Sequence, residues 1–138
     1  VSYSLAAIAQ VENLTLTGTS PINGTGNALA NVLTGNTAAN VLNGSDANDT
    51  LIGAAGNDSL TGEAGRDSFH FTTAANASTN RDWITDFSSV SDKLSFIKAV
   101  YAGFANNATT ITSTHNPIEV AMLGASTPLL MTDFVLTA

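Results

Sequence analysis

Aspartate stands at Asp49, Asp58 and Asp67, nine residues apart each time, and asparagine holds the same register at Asn31 and Asn40. Carboxylate and amide oxygens are hard donors, so such a column suits a hard divalent cation such as calcium, which takes about six to eight oxygens. Two residues after each of these positions comes a large apolar side chain: Leu33, Leu42, Leu51, Leu60 and Phe69. A glycine opens every unit, at Gly26, Gly35, Gly44, Gly53 and Gly62. The acids supply metal ligands, and the turns around them expose backbone carbonyls. The candidate ligand positions are therefore Asp49, Asp58 and Asp67 together with Gly44, Asp46, Gly53, Ala55, Gly62 and Ala64 in the turns.

The elements that must position these residues follow from the period. Each glycine-led stretch of about six residues makes a turn, and the next three, such as "TLI" or "SLT", make a short strand. Two units complete one coil of a parallel solenoid, so Asp49 and Asp67, eighteen residues apart, lie on the same edge in successive coils. The central Leu or Phe points inward because side chains alternate along a strand. One large apolar side chain per nine residues makes a thin core, too thin to offset the entropy of ordering the turns. A cation gripped between turns of successive coils is the expected supplement, strongest between Gly44–Asp49 and Gly62–Asp67. For Asn31 and Asn40 two readings stand: mixed sites pairing Asn31 with Asp49 and Asn40 with Asp58, or a ladder of side-chain amides without metal.

Composition is consistent with this. The chain has 138 residues, enough for one domain, and a net charge of -7 from 11 acidic and 4 basic residues. That balance argues against nucleic acid and anionic membranes as partners. Cysteine is absent, which removes disulfides and thiolate metal sites. No apolar run is long enough for a membrane span, and the opening "VSYSLAAIAQ" lacks the pattern of a signal peptide. Starting at Val1, the chain reads as a piece of something longer.

"GSDANDTLI", "GAAGNDSLT" and "GEAGRDSFH" resemble the RTX nonapeptide, G-G-x-G-x-D-x-U-x with U a large apolar residue. The resemblance implies an all-β fold, a right-handed parallel β-roll with calcium ions between its turns. It also implies a bacterial secreted protein that folds on calcium outside the cell and leaves through type I secretion machinery. Ser45, Ala54 and Glu63 depart from the family's second glycine and Ala47 from its central one, which points to less open turns.

On this reading residues 1–25 are degenerate lead-in coils, 26–70 are five repeats and 71–138 form a β-rich cap with a secretion tail. The run "RDSFHF" to "RDWITDFSSVSDKLSF" resembles the C-terminal part of serralysin-type metalloproteases at Asp82, Ile84, Asp86, Phe87, Asp92 and Lys93. That resemblance implies that Asp82 or Asp86 completes a further site facing Asp58. The alternative is that both cap turns or pair with Arg81 and Lys93. The final Asp133, Phe134, Val135 and Leu136 resemble the tail of type I secretion substrates. Residues 101–117 read as a polar loop or short strands.

Catalysis is not expected. A zinc helix needs H-E-x-x-H, and neither His70 nor His115 is followed by Glu. No G-x-S-x-G elbow is present. The expected partners are calcium ions and the secretion machinery. The Thr-, Asn- and Ser-rich strand faces leave open an S-layer or adhesin role by self-association or glycan binding, or a targeting module of a larger enzyme.

Overall fold

A computed structural model describes residues 1–73, 78–88, 90–96 and 118–120. Its strands are β1 (Ser2–Ser4), β2 (Asn13–Thr15), β3 (Asn23–Thr25), β4 (Val32–Thr34), β5 (Val41–Asn43), β6 (Thr50–Ile52), β7 (Ser59–Thr61), β8 (Ser68–Phe71), β9 (Asp82–Ile84), β10 (Lys93–Phe96) and β11 (Ile118–Val120). Almost all are three residues long, because a glycine-led turn interrupts the chain every nine residues. Odd-numbered strands form one sheet in the order β1-β3-β5-β7-β9-β11, and even-numbered strands form the other, β10-β8-β6-β4-β2. Each coil thus places one strand in each sheet. All pairs are parallel except β9 with β11. The fold is an all-β parallel solenoid, as the nine-residue period predicts. No helix among the described residues is long and apolar enough to cross a membrane.

Register is eighteen residues per coil within the repeats: Leu33 faces Leu51, Leu42 faces Leu60 and Leu51 faces Phe69. These five side chains have no exposed surface. They fill the space between the sheets, while Val41, at an outward position in β5, stays exposed. The apolar column continues upstream through Gly24, nine residues before Leu33, which pairs with Leu42 in the next coil. A Cβ on Gly24 would lie 3.1 Å from Leu14 Cδ2 and 3.2 Å from Leu42 Cδ2, so those two leucines fill the space of its missing side chain.

Beyond β8 the period lengthens and aromatics accumulate. Phe69 packs on Phe87 with ring centroids 6.2 Å apart, and Phe71 stacks on Phe96 at 4.9 Å. Ile84 and Leu94 continue the two inner faces into β9 and β10. These residues close the last coil, whose core would otherwise meet water. The remainder of the expected cap, the loop over 101–117 with His115 and the tail over 133–136 lie outside the described residues.

A core this narrow has no second layer to relax into a hole. Leu51→Ala is expected to destabilise the calcium-loaded roll by about 2–5 kcal/mol, read as a lowered Tm. A loss near zero would show that the leucine column is not the core.

Candidate metal centre

The acid column becomes two ladders, one along each edge of the roll. On one edge the Asn31 N–H donates to Asp49 Oδ1 at 2.7 Å, Asp49 N–H to Asp67 Oδ1 at 2.9 Å, and Asp67 N–H to Asp92 Oδ1 at 3.1 Å. On the other, Asn40 N–H donates to Asp58 Oδ1 at 2.8 Å and Asp58 N–H to Asp82 Oδ1 at 3.1 Å. Each carboxylate therefore spends one oxygen on the backbone of the coil before it. This brings Asp49 together with Asp67, as their eighteen-residue register predicts, and Asp58 with Asp82, one of the two partners that the resemblance implies.

The second oxygen is the decisive feature. Oδ2 of Asp49, Asp58 and Asp67 is buried with no hydrogen-bond partner, in residues each only 1 % exposed. Leaving a charged oxygen buried and unpaired costs several kcal/mol by ordinary transfer energetics (roughly 1–3 kcal/mol even for a neutral group). Each Oδ2 lies against the first glycine of its own turn: a Cβ on Gly44, Gly53 or Gly62 would collide with it. Backbone oxygens lie beside the aspartate turns: the Ala47 carbonyl abuts Gly65, two residues before Asp67, and the Ala38 carbonyl abuts Gly56, two residues before Asp58. Among the described residues no three acidic or histidine side chains converge. A cation held here would thus combine carboxylates from the ladders with carbonyls from the turns, a donor set of hard oxygens that suits calcium.

The family model of the RTX calcium-binding nonapeptide repeat (4 copies) matches residues 25–60 and 43–71. This segment is a run of RTX repeats. It covers the turns that carry Asn31, Asn40, Asp49, Asp58 and Asp67, and RTX repeats are calcium-binding, which fits the orphaned oxygens. No curated protein matches the chain.

The departures from the RTX consensus leave a mark in the backbone. Ser45, Ala54 and Glu63, at the second position, have φ of 82°, 72° and 69°, and Ala47 has 75°. The turns keep the left-handed path that glycine favours, and the substituted residues carry the strain. Ala64 keeps the coils in step by bridging to Asp46, with its N–H on the Ser45 carbonyl at 3.1 Å. The Asp46 side chain itself is exposed, and Ala55 is half-buried in its turn.

Asp86 is placed otherwise than facing Asp58. Its carboxylate accepts the N–H groups of Gly62 and Glu63, at 3.0 and 2.6 Å, on the opposite edge. It replaces the strand carbonyl that serves Gly44, whose N–H donates to Thr61 O at 2.9 Å. The chain turns away after β9, and a side chain takes over the bond. Arg81 lies over the Trp83 ring, 5.7 Å from its centroid. His70 sits on the outer face with Ser68 Oγ 3.0 Å from Nε2, away from both ladders.

Asp92 was not among the expected ligand positions, although it repeats the acid-x-apolar spacing with Leu94 that Asp67 has with Phe69. Asn48 and Asn57 also escaped notice. Their Oδ1 atoms accept the N–H groups of Arg66 at 2.9 Å and Arg81 at 3.0 Å, tying turn to turn.

Burial raises the affinity of these carboxylates for protons. It pushes Asp49 up to about 6, helped by the charges of Asp67 and Asp46 and opposed by the Asn31 N–H. Asp58 rises to about 8, with the Asn40 N–H opposing and Asp82 adding to burial. Asp82 rises to about 6 by burial, against the Asp58 N–H. Asp67 is raised too, by burial and then by Asp92 and Asp86, with the Asp49 N–H opposing.

Folded values above the ordinary 3.8 mean that the metal-free roll binds more protons than the unfolded chain between about pH 4 and 8, so its stability is greatest in acid and falls as the pH rises through 6 to 8. In EGTA, Tm is expected to drop from pH 5 to pH 8, while the calcium concentration at half-folding falls over the same interval because protons no longer compete. A metal-free Tm that climbs with pH would contradict this electrostatics. Separately, Ala54→Gly is expected to raise the Tm of the calcium-loaded roll by relieving about 1 kcal/mol of left-handed strain, and a lowered Tm would show that Ala54 is not strained.

Proposed function

We propose that the chain is a calcium-switched folding module of a bacterial secreted protein, at its C-terminal end, and has no catalytic chemistry of its own. The observation that carries this is the set of buried, unpartnered Oδ2 atoms of Asp49, Asp58 and Asp67. Where calcium is scarce, burying these carboxylates is opposed by desolvation and mutual repulsion, and the chain stays loose enough to thread a secretion channel. Outside the cell, calcium binds the folded form alone. One independent site at a hundredfold excess over Kd adds about 2.7 kcal/mol, so a few sites convert a thin roll from unstable to stable. The tail over 133–136, with its acid followed by apolar residues, supports export by type I secretion machinery.

A second reading has an observation of its own. Register aligns Thr25, Asn43, Thr61 and Thr85 along the outer face of one sheet, with the Thr61 and Thr85 hydroxyls 2.7 Å apart. Such a hydroxyl and amide strip suits self-association or a glycan, with calcium structural and the surface functional.

Circular dichroism of a calcium titration tests the first reading. The β signal is expected to grow cooperatively at roughly 10⁻⁴–10⁻³ M calcium, the range of extracellular modules, and to shrink in EGTA, where the remaining structure melts at much lower temperature. A melt unchanged by EGTA overturns it. Sedimentation and oligosaccharide binding in calcium decide the second reading: a monomer that binds no sugar rejects it.

A further inference from the structure

The repeats contain two kinds of turn, and the difference lies in side-chain chemistry. In the turns opened by Gly26 and Gly35, asparagine fills both the second and the sixth position: Asn27 with Asn31, and Asn36 with Asn40. The sixth-position Oδ1 accepts the second-position N–H, at 2.7 Å for Asn31 and 2.8 Å for Asn40. Its Nδ2 donates to the second-position Oδ1, at 3.2 and 3.1 Å. It also donates to a carbonyl of the coil before, Val11 at 3.4 Å and Ile22 at 2.7 Å. The second asparagine then caps its own turn, accepting from Leu29 N–H or Ala38 N–H at 2.9 Å. It reaches upstream as well, donating to Ile8 and Val11 from Asn27 and to Ser20 from Asn36.

Every polar atom at the sixth position of these turns is satisfied by protein. No residue inside them has a positive φ. In the turns opened by Gly44, Gly53 and Gly62 the second position is Ser45, Ala54 or Glu63, left-handed in each, and the sixth-position carboxylate keeps an oxygen without a partner.

We propose that the pair of residues at the second and sixth positions decides whether a turn takes calcium, and that the Asn27–Asn31 and Asn36–Asn40 turns are closed by their own amides and take none. Oδ1 of Asn31 and Asn40 stands against Gly26 and Gly35 as the orphaned Oδ2 stands against Gly44, Gly53 and Gly62, but there the second-position N–H fills the acceptor, and Nδ2 donates to the coil before. The mixed reading of Asn31 with Asp49 and Asn40 with Asp58 accordingly loses its asparagine oxygen, which is committed to Asn27 N–H or Asn36 N–H. The N-terminal coils are thereby metal-independent, a ready surface on which the aspartate coils stack as calcium arrives. This deepens the calcium reading above and rests on it for the aspartate turns.

The test transplants the asparagine pair into an aspartate turn of the full chain. Ser45→Asn with Asp49→Asn is compared with Asp49→Asn alone and with the unaltered chain, by calorimetric titration with calcium and by thermal melts in EGTA. The double variant is expected to bind fewer calcium ions than the unaltered chain and to melt higher in EGTA than Asp49→Asn alone. If it melts no higher than the single variant, the closing role of the second position is refuted. The reverse exchange, Asn27→Gly with Asn31→Asp, is expected to raise calcium stoichiometry, and unchanged stoichiometry in a folded variant also refutes it. An unaltered chain that takes up no calcium would remove the calcium reading itself, whereas normal uptake with a failed transplant overturns this inference alone.

Discussion

A carboxylate oxygen shut inside a protein without a partner must be neutralised by a proton or a cation. In this roll the constraint is built in by the backbone: Oδ1 of Asp49, Asp58 and Asp67 holds the N–H of the previous coil, and this bond fixes Oδ2 inside the turn. The same bond sets the eighteen-residue register that brings Leu33, Leu51 and Phe69 into one stack. Metal site and core are therefore consequences of one repeat. A change that loosens the ladder displaces the core, and one that holes the core displaces the ladder.

The thinness of the core explains why chemistry is placed in the turns. Each coil buries one large side chain per strand, and the two sheets have no third layer to lean on. Proteins with wide cores hold turns in place by the elements on either side. Here the turns hold the strands, either through amides, as at Asn27 and Asn36, or through paired aspartates awaiting a cation. At the C-terminal end both devices give way to side chains from the longer-period segment, with Asp82 and Asp92 extending the ladders and Asp86 serving the N–H groups of Gly62 and Glu63.

What could be read from the sequence was what repeats. The leucine column, the parallel coils and the pairing of Asp49 with Asp67 follow from a period of nine and the alternation of strand side chains. What escaped depended on atoms rather than period. Gly24 belongs to the core column but has no side chain to announce it, and its place is filled by Leu14 and Leu42. Asn27 and Asn36 recur at nine residues, yet only the hydrogen bonds of their amides reveal that they close a turn. Asp92 lies beyond a loop that breaks the count, although its spacing from Leu94 preserves the local pattern. The serralysin-type resemblance offers Asp82 or Asp86 as the partner of Asp58; Asp82 takes that place, and Asp86 lies at the other edge of the roll. The left-handed φ of Ala47, Ser45, Ala54 and Glu63 is a property of the turn path, which the flanking glycines and aspartates impose on residues that would not choose it.

A crystal structure of the chain grown in calcium, with anomalous scattering to locate the ions, tests the central claim most directly. The account places calcium within bonding distance of Oδ2 of Asp49, Asp58 and Asp67, together with turn carbonyls, and none in the asparagine turns. Those oxygens bound instead to water or to protein donors, with the roll intact, would contradict it.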